Sequence, residues 1–403
     1  MQQAIGKYRW TICALVFFAT TINYLDRAVI SQLKPILEDE FNWSETDYSN
    51  IVIAFQLAYA ISLLFAGRLI DKAGTKAGYA VSIVLWSIAA MAHALVKSTT
   101  GFGIARAFLG ITEAGNFPAA VKVVAEWFPK KERALASGIF NSGTNIGAIL
   151  APLTVPFIAE KFSWQAAFIF TGAIGFIWLI CWFIFYEVPA KQKRLSAAEF
   201  DYIHSDADEA GQEDTIHTKI STMKLLSIRH TWAFILGKFF TDPIWWFYLF
   251  WLPAFLKAQY GLQGTAAALP VALVYTMSAF GSIFGGWLPL YFIRNNKTVF
   301  SARKTSMFIY ALFALPVVFA QVLGSVNMWL SLIIIGIATA AHQAWSANIY
   351  TTVSDVFPKK LVASVIGIGG MAGALGGLLI AKLAGILLDY YKAAGKIETG
   401  YYI

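Results

Sequence analysis

Two acids and two bases sit inside apolar stretches in the first half of this 403-residue chain. Asp26 and Arg27 lie in Asn23-Tyr24-Leu25-Asp26-Arg27, deep in the first apolar run, and Arg106 and Glu113 lie in the fourth. On a helix, the seven-residue spacing of the second pair is two turns of one face, roughly 10 Å. A charge at bilayer depth costs at least ~2.5–3.5 kcal/mol on insertion scales, so it needs a partner or a polar cavity. Two carboxylates and two guanidiniums at that depth imply a central aqueous pocket that handles an anion and a proton. Arg27 is the expected carboxylate anchor, because its planar fork bonds in two-pronged fashion and stays charged when partly desolvated. Tyr24 lies one turn before it on the same face. Asp26 is adjacent to Arg27, about 100° round the helix, and is expected to point beside the pocket. Fixed salt bridges that only assemble the helices are the competing reading of all four charges.

The rest of the chain must hold those residues in a membrane. Hydrophobic residues make up 58% of it and charged residues 13%, with a mean hydropathy of +0.61. Soluble domains carry about 25% charged residues, so this is an integral membrane protein. Eleven apolar runs can cross a ~30 Å hydrocarbon core: 10–33, 48–69, 78–96, 101–125, 134–160, 164–186, 231–257, 266–291, 304–322, 327–350 and 362–388. The expected fold is all-α and polytopic, two six-helix bundles. Gly400-Tyr401-Tyr402-Ile403 reads as the lip of a twelfth helix otherwise missing from this sequence.

The net charge of +8 follows topology rather than a nucleic-acid footprint. Basic residues such as Lys7, Arg9, Arg68, Lys72, Lys130 and Lys131 gather at alternate ends of the runs, while Glu38, Asp39, Glu40, Glu45 and Asp47 follow the first. The positive-inside rule therefore places the N-terminus and the long middle loop in the cytoplasm. Cys13 and Cys181 both fall in apolar runs, which argues against a disulfide framework or a metal site. The first run carries central charge and no small-residue cleavage pattern, so it reads as a retained helix. With no nucleotide loop, metal-ligand cluster or nucleophile–base pattern, neither an enzyme nor a cofactor is expected.

Residues 187–230 break the apolar pattern with mixed charge and divide the chain into bundles at 1–186 and 231–403. An internal repeat supports the division. Phe128-Pro129-Lys130-Lys131 recurs as Phe357-Pro358-Lys359-Lys360, 229 residues on, with Gly138 matching Gly367 and Gly147 matching Gly376. Parallel-repeat transporters bind substrate between their halves near the midplane. The same offset sets His342 opposite Glu113. His342, Trp345 and Asn348 repeat at helical spacing, and with Gln56, Tyr59, Asn116 and Asn145 they could hold hydroxyl groups. Asp242-Pro243 is consistent with a hinge, a broken helix or a simple proline kink.

Gly67-Arg68-Leu69-Ile70-Asp71-Lys72-Ala73-Gly74-Thr75-Lys76 resembles the signature loop of the major facilitator superfamily, and Gly67, Asp71 and a nearby base such as Arg133 are its expected conformational latch. The second half has no clean copy. Asn23-Tyr24-Leu25-Asp26-Arg27, Glu113-Ala114-Gly115-Asn116-Phe117-Pro118-Ala119-Ala120 and Trp127-Phe128-Pro129-Lys130-Lys131-Glu132-Arg133 resemble the anion:cation symporter family over essentially the whole chain. The resemblance implies a major facilitator fold in a bacterial inner membrane and proton-coupled uptake of a sugar-acid monoanion by alternating access. It implies Asp26 and Glu113 as proton-coupling acids, with a hexuronate as substrate and an aldonate as alternative. Arg27, Tyr24, Tyr59, Arg106, Asn116, Asn145, His342, Trp345 and Asn348 are the expected substrate contacts, in a monomer. A sensor without net flux and an anion exchanger are the competing classes.

Overall fold

The computed structural model describes residues 6–205, 225–356, 359–396 and 400; the side chains of Arg68, Asp71 and Arg133 lie outside the described residues. The first half comprises α1 (Tyr8–Phe41), α2 (Glu45–Ala73), α3 (Thr75–Ala92), α4 (Thr99–Glu113), α5 (Asn116–Trp127), α6 (Lys130–Lys161) and α7 (Trp164–Phe185). A short α8 (Ala197–Ile203) follows in the middle stretch. The second half comprises α9 (Arg229–Tyr260), α10 (Thr265–Arg294), α11 (Val299–Ala314), α12 (Ala320–Val326), α13 (Met328–Val356) and α14 (Lys359–Ala393). Among the described residues, nine helical stretches are long and apolar enough to cross a membrane. They expose large apolar side chains such as Phe65, Leu69, Ile177, Phe183, Phe308 and Val318. In water that would be a liability; against lipid it is the favourable surface.

One element differs from the expected runs, and one settles a reading that the sequence left open. The fourth apolar run is divided, since α4 ends at Glu113 and α5 begins at Asn116, with Ala114 and Gly115 in a turn between them. The seventh run is whole: α9 passes through Asp242-Pro243 and Pro253 without a break. Proline removes one hydrogen bond and kinks a helix, yet flanking turns packed on α14 hold this one together.

Glycines set the closest approaches. A side chain at Gly147 of α6 would meet Leu25 N of α1 at 2.9 Å. One at Gly110 of α4 would run into the Phe55 carbonyl of α2. These contacts seat α6 on α1 and α4 on α2, and α1 and α4 carry the four buried charges.

The two halves are joined at one end, where α1, α6, α9 and α14 finish and α2 and α10 start. Lys257 Nζ of α9 reaches both Asp39 carboxylate oxygens at 3.1 Å and the Pro35 carbonyl at 3.0 Å. Lys392 of α14 bonds Glu38 at 2.5 Å. Further links at this end are helix caps. The first turn of a helix has N–H groups with no internal partner. In α2, Ser44 caps Asp47 N, while Glu45 N and Thr46 N donate to Asp389 of α14 at 2.8 and 2.9 Å. The start of α10 has no local side-chain cap; Thr265 N donates instead to Glu160 of α6 at 2.7 Å. Glu160 and Asp389 are 229 residues apart, the offset of the internal repeat. Each half thus caps a helix start of the other.

An acid at a helix N-terminus contributes about 0.3–1 kcal/mol when exposed and up to ~2 kcal/mol when partly buried. Glu160 is exposed and Asp389 half-buried, so Asp389→Ala should open this end more than Glu160→Ala. We expect Ser49→Cys, buried behind the α2–α14 seam, to react faster with a water-soluble maleimide in both variants and fastest in the double variant. Unchanged labelling in all three would mean that the caps do not hold the end shut.

Candidate functional site

The site is built around Arg27. Its Nε donates to Glu113 Oε2 at 2.5 Å, and the two side chains are 1% and 0% exposed. Arg27 sits at mid-α1, and Glu113 is the last residue of α4 before the turn. The guanidinium lies over three aromatic rings, at 4.4 Å from the Tyr59 centroid, 4.7 Å from Tyr24 and 5.3 Å from Phe55. A desolvated cation over a ring face gains roughly 2 kcal/mol or more. Arg106 shares the Phe55 ring, 4.8 Å from its centroid, and donates from Nη2 to the Arg27 carbonyl at 3.2 Å. It also lies 5.8 Å from the Phe250 ring of α9, which brings the second half up to the first-half charges.

Formal charge balances here and hydrogen bonding does not. Asp26 is buried beside Thr171 of α7. Apart from the nearby Thr171 hydroxyl, its carboxylate oxygens have no hydrogen-bond partner among the described residues, nor do Arg27 Nη2, Arg106 Nε and Nη1, or Glu113 Oε1. Buried polar atoms are ordinarily satisfied. A cluster with this many unused donors and acceptors is suited to receive a small polar anion.

Among the described residues, none of the other predicted contacts bonds directly to these four charges. Asn116, fully buried, accepts from Tyr79 OH at 2.7 Å and donates to Thr20 at 3.4 Å, tying α5 to α3 and α1. Asn145 is buried on α6 with its Oδ1 unbonded. In the second half, His342 Nε2 meets the Thr241 carbonyl at 2.8 Å. Its ring lies parallel to that of Trp245, with centroids 6.4 Å apart. Asn348 donates to the Gly285 and Ala344 carbonyls at 2.5 and 2.9 Å, joining α13 to α10. His342 and Trp345 line a cavity of about 740 Å³ among α9, α11, α13 and α14, whose walls are mostly apolar, including Phe247, Trp251, Val318 and Leu383. That cavity belongs wholly to the second half and contains none of the four central charges.

Phe55, which neither pattern nor charge singled out, is the ring that both arginines share. It lies one turn before Tyr59 on the same helix face and stacks on it at 5.8 Å; that aromatic spacing was the available signal. Phe250 carried none, because aromatic residues fill all of α9.

A polytopic helical protein with ion-paired charges at its centre and two halves that cap each other at one end has the architecture of a membrane transporter. Residues 16–381 match the Major Facilitator Superfamily profile. Over 387 residues the chain is 36% identical to the hexuronate transporter of Escherichia coli K12, covering 96% of this chain and 89% of that one. It is also 36% identical over 288 residues to the galacturonate transporter of Dickeya chrysanthemi, covering 72% and 83%. The proton:xylose symporter bound to 6-bromo-6-deoxy-D-glucose shares the fold, with a TM-score of 0.75 at 16% identity over 98% of this chain and 92% of that one. The chain belongs to the major facilitator superfamily, and it is a transporter, not an enzyme.

Removing one partner of a buried ion pair strands the other charge and typically costs 3–5 kcal/mol. Glu113→Ala leaves Arg27 and Arg106 facing each other across Phe55. We expect detergent-purified Glu113→Ala to lose roughly that much stability, and Glu113→Ala with Arg27→Met to recover most of it. Equal melting temperatures for wild type and Glu113→Ala would contradict the pairing.

Proposed function

We propose that this protein is a proton-coupled symporter that imports the hexuronates galacturonate and glucuronate across the bacterial inner membrane by alternating access, as a monomer. The observation that carries the reading is the buried Arg27–Glu113 pair, roofed by Tyr24, Tyr59 and Phe55 and flanked by unbonded groups of Arg106 and Asp26. Arg27 holds the substrate carboxylate; its Nη2 is unused, and Glu113 competes for the same guanidinium. Protonation of Glu113 frees Arg27 for the substrate anion, so proton and sugar acid enter together. Asp26 is the second coupling acid, and Asn116, Asn145, His342, Trp345 and Asn348 position the sugar body from around the pocket. The bundles at 1–186 and 231–403 rock about the central site, which opens and closes the capped end, with the N-terminus and the 187–230 linker in the cytoplasm. Gly67, Asp71 and Arg133 serve as the latch of the opposite face. The substrates named for the relatives, both sugar acids with one carboxylate, support the class of cargo.

The energetics favour coupling. An uncoupled monoanion entering against ~100 mV, inside negative, loses ~2.3 kcal/mol, roughly fifty-fold in accumulation. One co-transported proton cancels that charge, and each pH unit then adds about 1.4 kcal/mol of drive. In proteoliposomes, an imposed inward proton gradient should therefore drive concentrative galacturonate uptake. Asp26→Asn and Glu113→Gln should each abolish accumulation, with at least one of them retaining exchange of labelled for unlabelled substrate. Normal accumulation in both variants would remove the coupling assignment.

One central arginine cluster serves one carboxylate, so uptake of labelled galacturonate should be blocked by excess glucuronate and left intact by neutral glucose. Strong inhibition by galactonate with none by glucuronate would replace the hexuronate reading with an aldonate one and leave the symporter standing.

A further inference from the structure

The α2–α14 seam can be followed from the capped end inward. Asp389 binds the start of α2, a side chain at Gly385 would meet Ser49 Cβ at 2.6 Å, and Lys382 Nζ reaches Asn50 Oδ1 at 3.2 Å. The next contact inward is Gln56, whose Nε2 would lie 3.1 Å from a side chain at Gly377. Trp246 of α9 abuts the same glycine, at 2.5 Å from that position to its Cδ1. Gln56 therefore stands where both halves meet, one residue from Phe55, the ring both arginines share, and one turn from Tyr59 over Arg27.

Gln56 is 1% exposed, and among the described residues neither Oε1 nor Nε2 has a hydrogen-bond partner. A primary amide offers two donors and an acceptor with two lone pairs. Burying all of them unused carries a desolvation penalty that a methionine of similar length would avoid. Nothing in helix packing calls for an amide here, since Gly377 and the Trp246 ring give it no acceptor. What an amide offers at this position is a matched donor–acceptor pair for adjacent hydroxyls. We propose that Gln56 is a specificity-determining residue, which binds two neighbouring ring hydroxyls of the sugar acid whose carboxylate Arg27 holds. A site built to hydrogen-bond a hydroxyl discriminates far more strongly than an apolar pocket does, because the wrong isomer leaves its buried groups unpaired. Galacturonate and glucuronate differ in the configuration of one hydroxyl, and for two acids that are both transported such an amide sets the preference between them.

The inference rests on the sugar-acid reading above. The test uses purified protein in proteoliposomes, with KM measured for galacturonate and for glucuronate and melting temperature measured alongside. For Gln56→Met we expect KM to rise at least tenfold for the preferred epimer and the ratio between epimers to fall to within twofold of one, while the melting temperature holds or rises. Gln56→Asn keeps both amide functions one methylene short, and it should fall between wild type and Gln56→Met in both readouts. Should Gln56→Met fail to fold, the Asn variant decides by the same ratio. A wild-type KM ratio already within twofold of one, or an unchanged KM and epimer ratio in the folded variants, overturns the assignment while wild-type uptake keeps the sugar-acid reading intact. No uptake of either acid by wild type defeats that reading, and this inference with it.

Discussion

The pairing of Arg27 with Glu113 in a space without bulk water constrains most of the first half. Two guanidiniums close enough to share the Phe55 ring repel each other, and the interior screens that repulsion poorly. Glu113 relieves it by bonding one arginine, and the ring faces of Tyr24, Tyr59 and Phe55 supply a further negative surface. Small residues then become necessary around it. Gly110 and Gly147 let α4 and α6 come near enough to α2 and α1 for the charges to meet. The turn at Ala114-Gly115 follows the carboxylate directly, so the helix that positions Glu113 ends on it. A larger side chain at either glycine would pull the charges apart, and each separated charge would then bear its own desolvation cost.

Balanced charge with unspent hydrogen bonds separates a binding cluster from a structural one. A salt bridge selected only for assembly would saturate its donors, since each unsatisfied buried group costs about 1–3 kcal/mol. Here Arg106 uses one nitrogen and Arg27 leaves Nη2 idle. Under the proposed function this deficit is the receptor: a carboxylate and its hydroxyls fill places that protein groups leave empty. On that proposal the same arrangement links proton to substrate without any long-range relay. Glu113 and a bound carboxylate compete for one guanidinium, and protonation of the first favours the second.

Composition and periodicity made the membrane-spanning helices legible, because hydrocarbon requires every backbone group to be satisfied within a helix. The charges were legible for a related reason: Asp26, Arg27, Arg106 and Glu113 are too costly at depth to be incidental. Their cluster followed from sequence only in part. That Arg106 and Glu113 share a face is a matter of spacing, whereas the meeting of Glu113 with Arg27, 86 residues away, depends on how α1 and α4 pack. Phe55 and Phe250 were hidden because an aromatic residue in an apolar helix carries no excess cost to mark it. Asn116 and Asn348 were visible as polar groups at depth, but sequence could not show that Tyr79, Thr20 and the Gly285 carbonyl occupy them. The break after Glu113 was hidden too, for Ala114 and Gly115 are compatible with a continuous helix.

Internal symmetry explains why the closed end uses helix caps as well as salt bridges. A duplicated bundle presents equivalent helix starts and ends at the same face, so an acid at the end of α6 has a counterpart at the end of α14. Each finds the unpaired N–H groups that begin a helix in the other half, a partner that backbone geometry supplies without any matching basic side chain. Such a contact is directional and short-ranged, and it exchanges for water with little net change when the face opens. The ion pairs of Lys257 with Asp39 and Lys392 with Glu38 lie at the solvent-accessible rim, where water and salt weaken them. None of these links is individually strong, and a transporter requires that. A face bound by several bonds of about 1 kcal/mol each closes cooperatively, yet it can be opened by the binding energy of one small anion. A single deeply buried cross-half ion pair would hold the face too firmly for such an anion to shift. The buried charges accordingly pair within one bundle, Arg27 with Glu113, while among the described residues the buried contacts between the halves involve no opposed charges, as where the Tyr48 hydroxyl donates to the Phe250 carbonyl and the Phe250 ring lies near Arg106.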